Sequence, residues 1–392
     1  STISSAVRRN GQGRGGNVTL NTRLLSLDNS RITASTDGQG KAGNITLRAN
    51  TLQARNGGQL ITSTNTAQNA GNITLRNLDN VTLDGTNSGI FANTNSSGRG
   101  GTITVETTNL SLDNQGIISS ASRGLNRQAG EAGNINITTT GTLRVNDSDI
   151  RTTATRSSGG AITLASGDIR LSGDSTISTN SGNNGGNINL AATNDIRLFD
   201  NSDIRTDSGN NGGNIRMNAQ SIVAFDDSDI LASAVNQGGD IKLDTLAFFG
   251  SSYQQGIQSQ GKLDGNGQVD VNARGQISSG TITTPDTTFI QNSLTDLPDS
   301  SINTETLLAN SCIVRSRAQS GRFTITGSGG LPERPGNATA SPYPTGEIQA
   351  IPAAIAAVEE THRAWQMGDP IVEPQGVYRL LNGRLVISRE CS

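Results

Sequence analysis

Histidine occurs once in this chain, at His362, and cysteine twice, at Cys312 and Cys391. Residues 1–311 therefore cannot supply a Ser-His-Asp triad or a histidine-rich metal centre, and two cysteines alone cannot make a zinc site. Aromatic residues make up only 3% of the chain and hydrophobic residues 32%. That is thin for a globular core, but enough for a narrow column of stacked aliphatic side chains. No apolar run approaches the ~20 residues of a membrane helix, so no membrane insertion is expected. Charges of both signs are interspersed around a net charge of −3, without aromatic-basic interleaving. Nucleic acid is accordingly not an expected partner. The glycine-rich run at Gly11–Gly16 resembles a phosphate loop only in composition, because no helix follows it. No cofactor and no catalytic residue is assigned.

Glycine, by contrast, is abundant, with 48 residues, and it is ordered. Gly185-Gly186-Asn187-Ile188-Asn189-Leu190 carries a motif that returns along the chain. Its copies begin at Gly16, Gly43, Gly71, Gly101, Gly133, Gly160, Gly186, Gly213, Gly239 and Gly267, in steps of 26 to 32 residues. A period this steady marks a repeat architecture.

Each period holds three short apolar-polar-apolar strands, such as Ile188-Asn189-Leu190, Ile196-Arg197-Leu198 and Ile204-Arg205-Thr206. Alternation with period 2 buries one face of each strand. Corners such as Ser181–Gly185 read as turns closed by glycines with positive φ. No window shows helical spacing, and Gly, Asn and Thr are too frequent for a helical solenoid. The sequence thus predicts an all-β fold: a right-handed parallel β-helix with three strands per coil and about ten coils. Ile188, Leu190, Ile196 and Leu198 should stack on Ile215, Met217, Ile222 and Ala224. Asn17, Asn44, Asn72, Asn134, Asn187 and Asn214 recur at one position, where their side-chain amides can form a ladder. Phe248, Phe249 and Tyr253 break the pattern where the column should widen or end.

The corner before the third strand carries the one dense acidic column. Asp147, Asp174 and Asp227 align, with Asn201 between; Asp149, Asp203 and Asp229 align two residues on, with Thr176 in the gap. Three readings stand: Asx turns at strand starts, a calcium site, or paired carboxylates for glycoside hydrolysis. Arg151 and Arg205 are near enough in sequence to offset carboxylate repulsion. The Gly-Gly-x-Gly-x-Asp calcium repeat is absent, as are the Asn-Thr-Asp, Gly-His-Gly and Arg-Ile-Lys motifs of pectinase-type β-helices.

Residues 1–284 form the coils. Residues 285–345 read as the end of the solenoid and a Pro/Gly-rich linker, and 346–392 as a small α+β appendage. There Pro352–Met367 has a helical apolar face, with His362 as a packed or rim residue, and Asn382-Gly383 signals a hairpin between Val377–Leu381 and Arg384–Ile387. Ser1–Ser5 matches the third strand of a coil, so the chain is expected to start in mid-coil, as a piece of a longer protein.

The Gly-Asn-Ile-Thr-Leu coils resemble the passenger region of filamentous-haemagglutinin-like exoproteins of two-partner secretion systems. Leu308–Cys312, Gly321-Arg322-Phe323, Gly329–Pro332 and Glu373–Val377 are similar to the C-terminal end of the branch common in cyanobacterial genomes. The resemblance implies a secreted or cell-surface protein, exported unfolded through an outer-membrane barrel transporter. The chain is accordingly read as a structural or adhesive, non-catalytic fibre, with a surface or matrix polysaccharide or protein ligand that the sequence does not name. The alternative is a polysaccharide-binding or polysaccharide-degrading β-helix using the acidic column. Cysteine-free coils fit export through a pore. In an extracytoplasmic chain the pair Cys312 and Cys391 favours a disulfide, tying the terminal hairpin to the end of the solenoid.

Overall fold

The β-branched and aliphatic residues of each repeat form strands that pair with the same strands one repeat away. The computed structural model describes residues 1–125, 129–250 and 263–285, together with the strand backbones Gln254–Gly256, Gln349–Ala350, Gly376–Arg379 and Leu385–Ser388. The chain divides into two compact units, Ser1–Ile290 and Gln291–Ser392.

The first unit is a parallel β-helix. An eleven-stranded sheet stacks the third strand of every coil, and a fifteen-stranded sheet stacks the first and second. Ten first strands, from Val18–Asn21 to Ile282–Thr283, bound about nine turns. Pairing is in register: Ile188 opposes Ile215, Ile196 opposes Ile222 and Ile204 opposes Ile230. Leu190 and Leu198 likewise meet Met217 and Ala224, as the repeat predicts. Each of these eight first- and second-strand residues is at most 1% exposed. A fully buried Ile or Leu contributes roughly 1.5–3 kcal/mol relative to an exposed one. Thr2–Ser4 pairs with Arg31–Thr33 and so does occupy a third-strand position.

The coil departs from three separate strands in four places. Ile73–Asp84, Ile103–Asp113, Ile215–Ala224 and Ile241–Gly250 each run through the first and second strand positions without a break. The corner between them is a bend inside one strand, with a register shift between Val105 and Thr107.

Neither the nine motif glycines from Gly16 to Gly239 nor Gly182 and Gly185 of the Ser181–Gly185 corner take positive φ; left-handed glycines lie elsewhere, for example at Gly57 (φ 86°) and Gly85 (φ 93°), and at Gly267 (φ 76°) of the tenth copy. Gly43, Gly71, Gly101, Gly133, Gly160, Gly186, Gly213 and Gly239 form a column in which a Cβ would run into the carbonyl oxygen of the glycine one coil before. Buried threonines hold those carbonyls from inside. Thr62, Thr152, Thr179 and Thr206 donate to the carbonyls of Gly71, Gly160, Gly186 and Gly213 at 2.6–2.9 Å.

The asparagine ladder exists with a different bonding pattern. Each Oδ1 accepts the backbone N–H of the next coil: Asn17 from Asn44 at 2.9 Å, Asn44 from Asn72 at 2.8 Å, and Asn187 from Asn214 at 2.9 Å. The amides do not bond to one another, because the backbone donor takes the oxygen first.

The tenth copy is misplaced by its sequence. Val269–Val271 follows Gly267, yet Asp270–Asn272 joins the third-strand sheet beside Ile230–Ala234. The strand that stacks on Ile241 is Ile282-Thr283, after Gly280, a step of 41 residues. Thr281 N–H donates to Asp240 Oδ1 at 2.7 Å and continues the ladder. In between, Gln254–Gly256 pairs with the far side of Asp270–Asn272, so this last rung is laid down out of order. Phe248 packs partly on the core above Ile222 and Phe249 is half exposed; Tyr253 lies outside the described residues.

In the second unit, Gly376–Arg379 and Leu385–Ser388 form the expected antiparallel pair, and Gln349–Ala350 lies parallel to the first of them. Arg379 pairs with Leu385. A two-residue turn at Asn382-Gly383 would pair Arg379 with Val386, so the register is one residue away from that turn. The helix expected over 352–367, with His362, and both cysteines lie outside the described residues, as does the linker. Among the described residues no helix is long and apolar enough to cross a membrane.

Candidate functional site

The acidic corner is built in three adjacent columns. The first has left-handed backbone: Asp147, Asp174, Asn201 and Asp227 have φ of 47°, 58°, 58° and 61°. Asn29, Asn56, Asn87 and Asn114 hold the same corner earlier, at φ 42–64°. Asn and Asp are the non-glycine residues that accept this conformation most readily. The backbone therefore explains the residue type before any ligand is invoked. Asp174 accepts from Asn201 Nδ2 at 2.9 Å. Asp227 Oδ1 accepts the successive N–H groups of Gly267 and Gln268 at 2.8 and 3.2 Å.

The second column is buried serine. Ser148 Oγ accepts Gly116 N–H, Ser175 Oγ accepts Ser148 N–H, Ser202 Oγ accepts Ser175 N–H and Ser228 Oγ accepts Ser202 N–H, at 3.0–3.3 Å. Sequence reasoning passed over these residues. The signal was present in the dipeptides Asp147-Ser148, Asp174-Ser175, Asn201-Ser202 and Asp227-Ser228.

The third column turns inward along the stack. Asp149 is half-buried and pairs with Arg151 at 3.0 Å. Asp203, Asp229 and Asp270 are 6%, 0% and 5% exposed. Asp203 Oδ1 accepts Asp229 N–H at 3.0 Å, and Asp229 Oδ1 accepts Asp270 N–H at 2.9 Å. Asp203 Oδ2 lies 3.8 Å from Arg205, which also approaches Asp207. Asn266 donates to Asp270 at 2.7 Å, while Asp229 Oδ2 is buried without a hydrogen-bond partner.

Burial disfavours the charged forms. It pushes Asp203 up to about 6, against the Asp229 N–H and the Arg205 charge. It pushes Asp229 up to about 8, opposed by the Asp270 N–H and reinforced by the carboxylates of Asp203, Asp270 and Asp227. Asp270 is raised by burial, against the Asn266 bond, and Asp149 by burial, against Arg151 and Arg205. Burial and the neighbouring carboxylates thus favour the protonated form of Asp229 relative to an exposed aspartate.

The six candidates therefore do not form one group. Asp147 and Asp174 face solvent at the corner, and Asp227 is tied to a loop. Asp203 and Asp229 stack inside, with Asp270 as a member the repeat did not reveal; Asp149 stands apart with Thr176 between. Among the described residues no group of three or more His, Cys, Asp or Glu is arranged to hold a metal ion. A polysaccharide cannot reach carboxylates as closed as Asp203 and Asp229, so this pair offers no flanking acid and base for a glycosidic bond. No family model, curated protein or solved structure matches the chain.

Proposed function

We propose that the chain is part of a secreted or cell-surface fibre, structural or adhesive and without catalytic activity, exported through an outer-membrane barrel by two-partner secretion. One observation carries this reading: the polar columns that an enzyme would use for chemistry bond coil to coil instead. The asparagine, serine and aspartate columns each give a side-chain oxygen to the backbone of a neighbouring coil. Such a solenoid extends by repetition and offers long side faces, which suits a fibre. The filamentous-haemagglutinin-like character of the repeats supports the route of export.

Protease treatment of intact cells tests it. A surface fibre disappears from immunoblots while a cytosolic marker survives; protection until lysis defeats the proposal. A reducing-sugar and lyase assay over a polysaccharide panel checks the second half, and turnover of any member overturns the non-catalytic reading. Polysaccharide binding is a second reading, favoured by a polar groove on another face of the coils.

A further inference from the structure

A groove of about 630 Å³ runs along the early coils, between the asparagine ladder and the corner that precedes it. Its lining includes small buried residues, among them Ala42, Gly71 and Gly133. One wall is Asn17, Asn44, Asn72 and Asn134. Their oxygens accept backbone N–H groups of the next coil, which leaves each Nδ2 as an outward donor. The other wall is the column Arg14, Lys41, Asn69, Arg99 and Glu131, in register by the bonds from Gly15 N–H to Lys41, Ala70 N–H to Arg99 and Gly100 N–H to Glu131. Arg99 bonds Glu131. Arg14 and Lys41 sit one coil apart without an ion-pair partner among the described residues.

Charge follows the same axis. Residues 1–60 hold eight Lys and Arg against two Asp, whereas residues 131–250 hold eight against fourteen acidic residues. The signs that look interspersed over the whole chain are segregated along the solenoid. The groove lies toward the basic end.

We infer that this groove binds a linear polyuronate, its rings following the coils along the solenoid axis. Coils repeat every ~4.8 Å, close to the advance of one pyranose ring in an extended chain. Five coils give a track of roughly 20 Å with donors on both walls. A uronic acid polymer brings one carboxylate per ring and acceptor hydroxyls between them. Arg can take a carboxylate through two parallel N–H bonds, and Lys as a point charge. The lining has no aromatic side chain for stacking bases and no apolar recess for peptide side chains. This deepens the adhesive reading and rests on it for biological setting only, because binding is measured on purified protein.

Polygalacturonate, dextran and oligo-dT are the probes, with titrations at low and high salt. Polygalacturonate is expected to bind, to weaken with salt, and to exceed both other polymers. The double variant R14Q/K41Q should lose at least tenfold in affinity and flatten the salt dependence. The double variant R48Q/R55Q removes the same charge from exposed sites outside the groove and should keep wild-type affinity. Circular dichroism and melting confirm that both doubles fold. No binding of polygalacturonate, equal losses in the two doubles, or tighter binding of oligo-dT or dextran overturns the proposal. Binding by a chain that cell-surface proteolysis shows to be internal would instead defeat the export reading and leave the groove standing.

Discussion

Gly213 shows how one residue depends on its neighbour a coil away. A methyl group there would strike the carbonyl oxygen of Gly186, and Thr206 already bonds the Gly213 carbonyl at 2.9 Å. Gly213→Ala must push two coils apart. It should cost at least the ~1–3 kcal/mol of an overpacked core, read as a lower urea midpoint. A wild-type midpoint would show that the column tolerates a side chain. Asp229 makes the second residue-scale prediction. Its folded value of about 8 lies above the ~3.9 of an unfolded aspartate, so the native state binds the extra proton. Stability is fully present below pH ~4 and declines as pH rises toward about 8, with Asp203 adding to the decline up to about 6. Asp229→Asn keeps the acceptor for Asp270 N–H and removes the charge. Its melting temperature should therefore change less between pH 5 and pH 9 than that of the wild type; parallel curves would refute the assignment. The sequence shows where Gly213 and Asp229 recur. It does not show why, because contact with the next coil and burial are properties of the stack.

At the scale of the strand and corner, alternating Ile and Leu made the coil legible, and the stacking of Ile188 on Ile215 follows from period and alternation alone. The end of the solenoid did not follow. Gly267-Gln268-Val269-Asp270-Val271 has the motif at the right interval, but local pattern cannot tell a first strand from a third. The hydrogen bond between Thr281 and Asp240 decides it, together with an insertion that only the sheet order reveals. The serine column was within reach, since an Asx-Ser pair precedes each third strand from Asp149 to Ile230. Ser202→Ala would leave Ser175 N–H without its acceptor in a buried corner. An unpaired buried donor costs about 1–3 kcal/mol, so chemical denaturation should show a loss of that size. The exposed and buried aspartates do not gather into one shell of ligands. Millimolar calcium should therefore leave the melting temperature unchanged, and a rise abolished by Asp203→Asn with Asp229→Asn would restore the calcium reading.

For the whole solenoid, each coil contacts only the coils on either side, so damage should stay local. Charge segregation along the axis is a feature of this scale, and counting charges over the entire chain conceals it. Ile188 is the most direct probe. It is 0% exposed and lies between Ile162 and Ile215 in the ladder. Ile188→Asp puts an unpaired carboxylate in that column, at a cost of about 3–5 kcal/mol by analogy with a broken buried ion pair. A globular core would spread such a loss through the domain. Here hydrogen exchange should quicken in the strands around Ile162, Ile188 and Ile215, while those around Ile45 and Ile241 keep their wild-type rates. Exchange that rises equally at Ile45, Ile188 and Ile241 would mean that the coils unfold as one cooperative unit, and the nearest-neighbour account of this solenoid would fail.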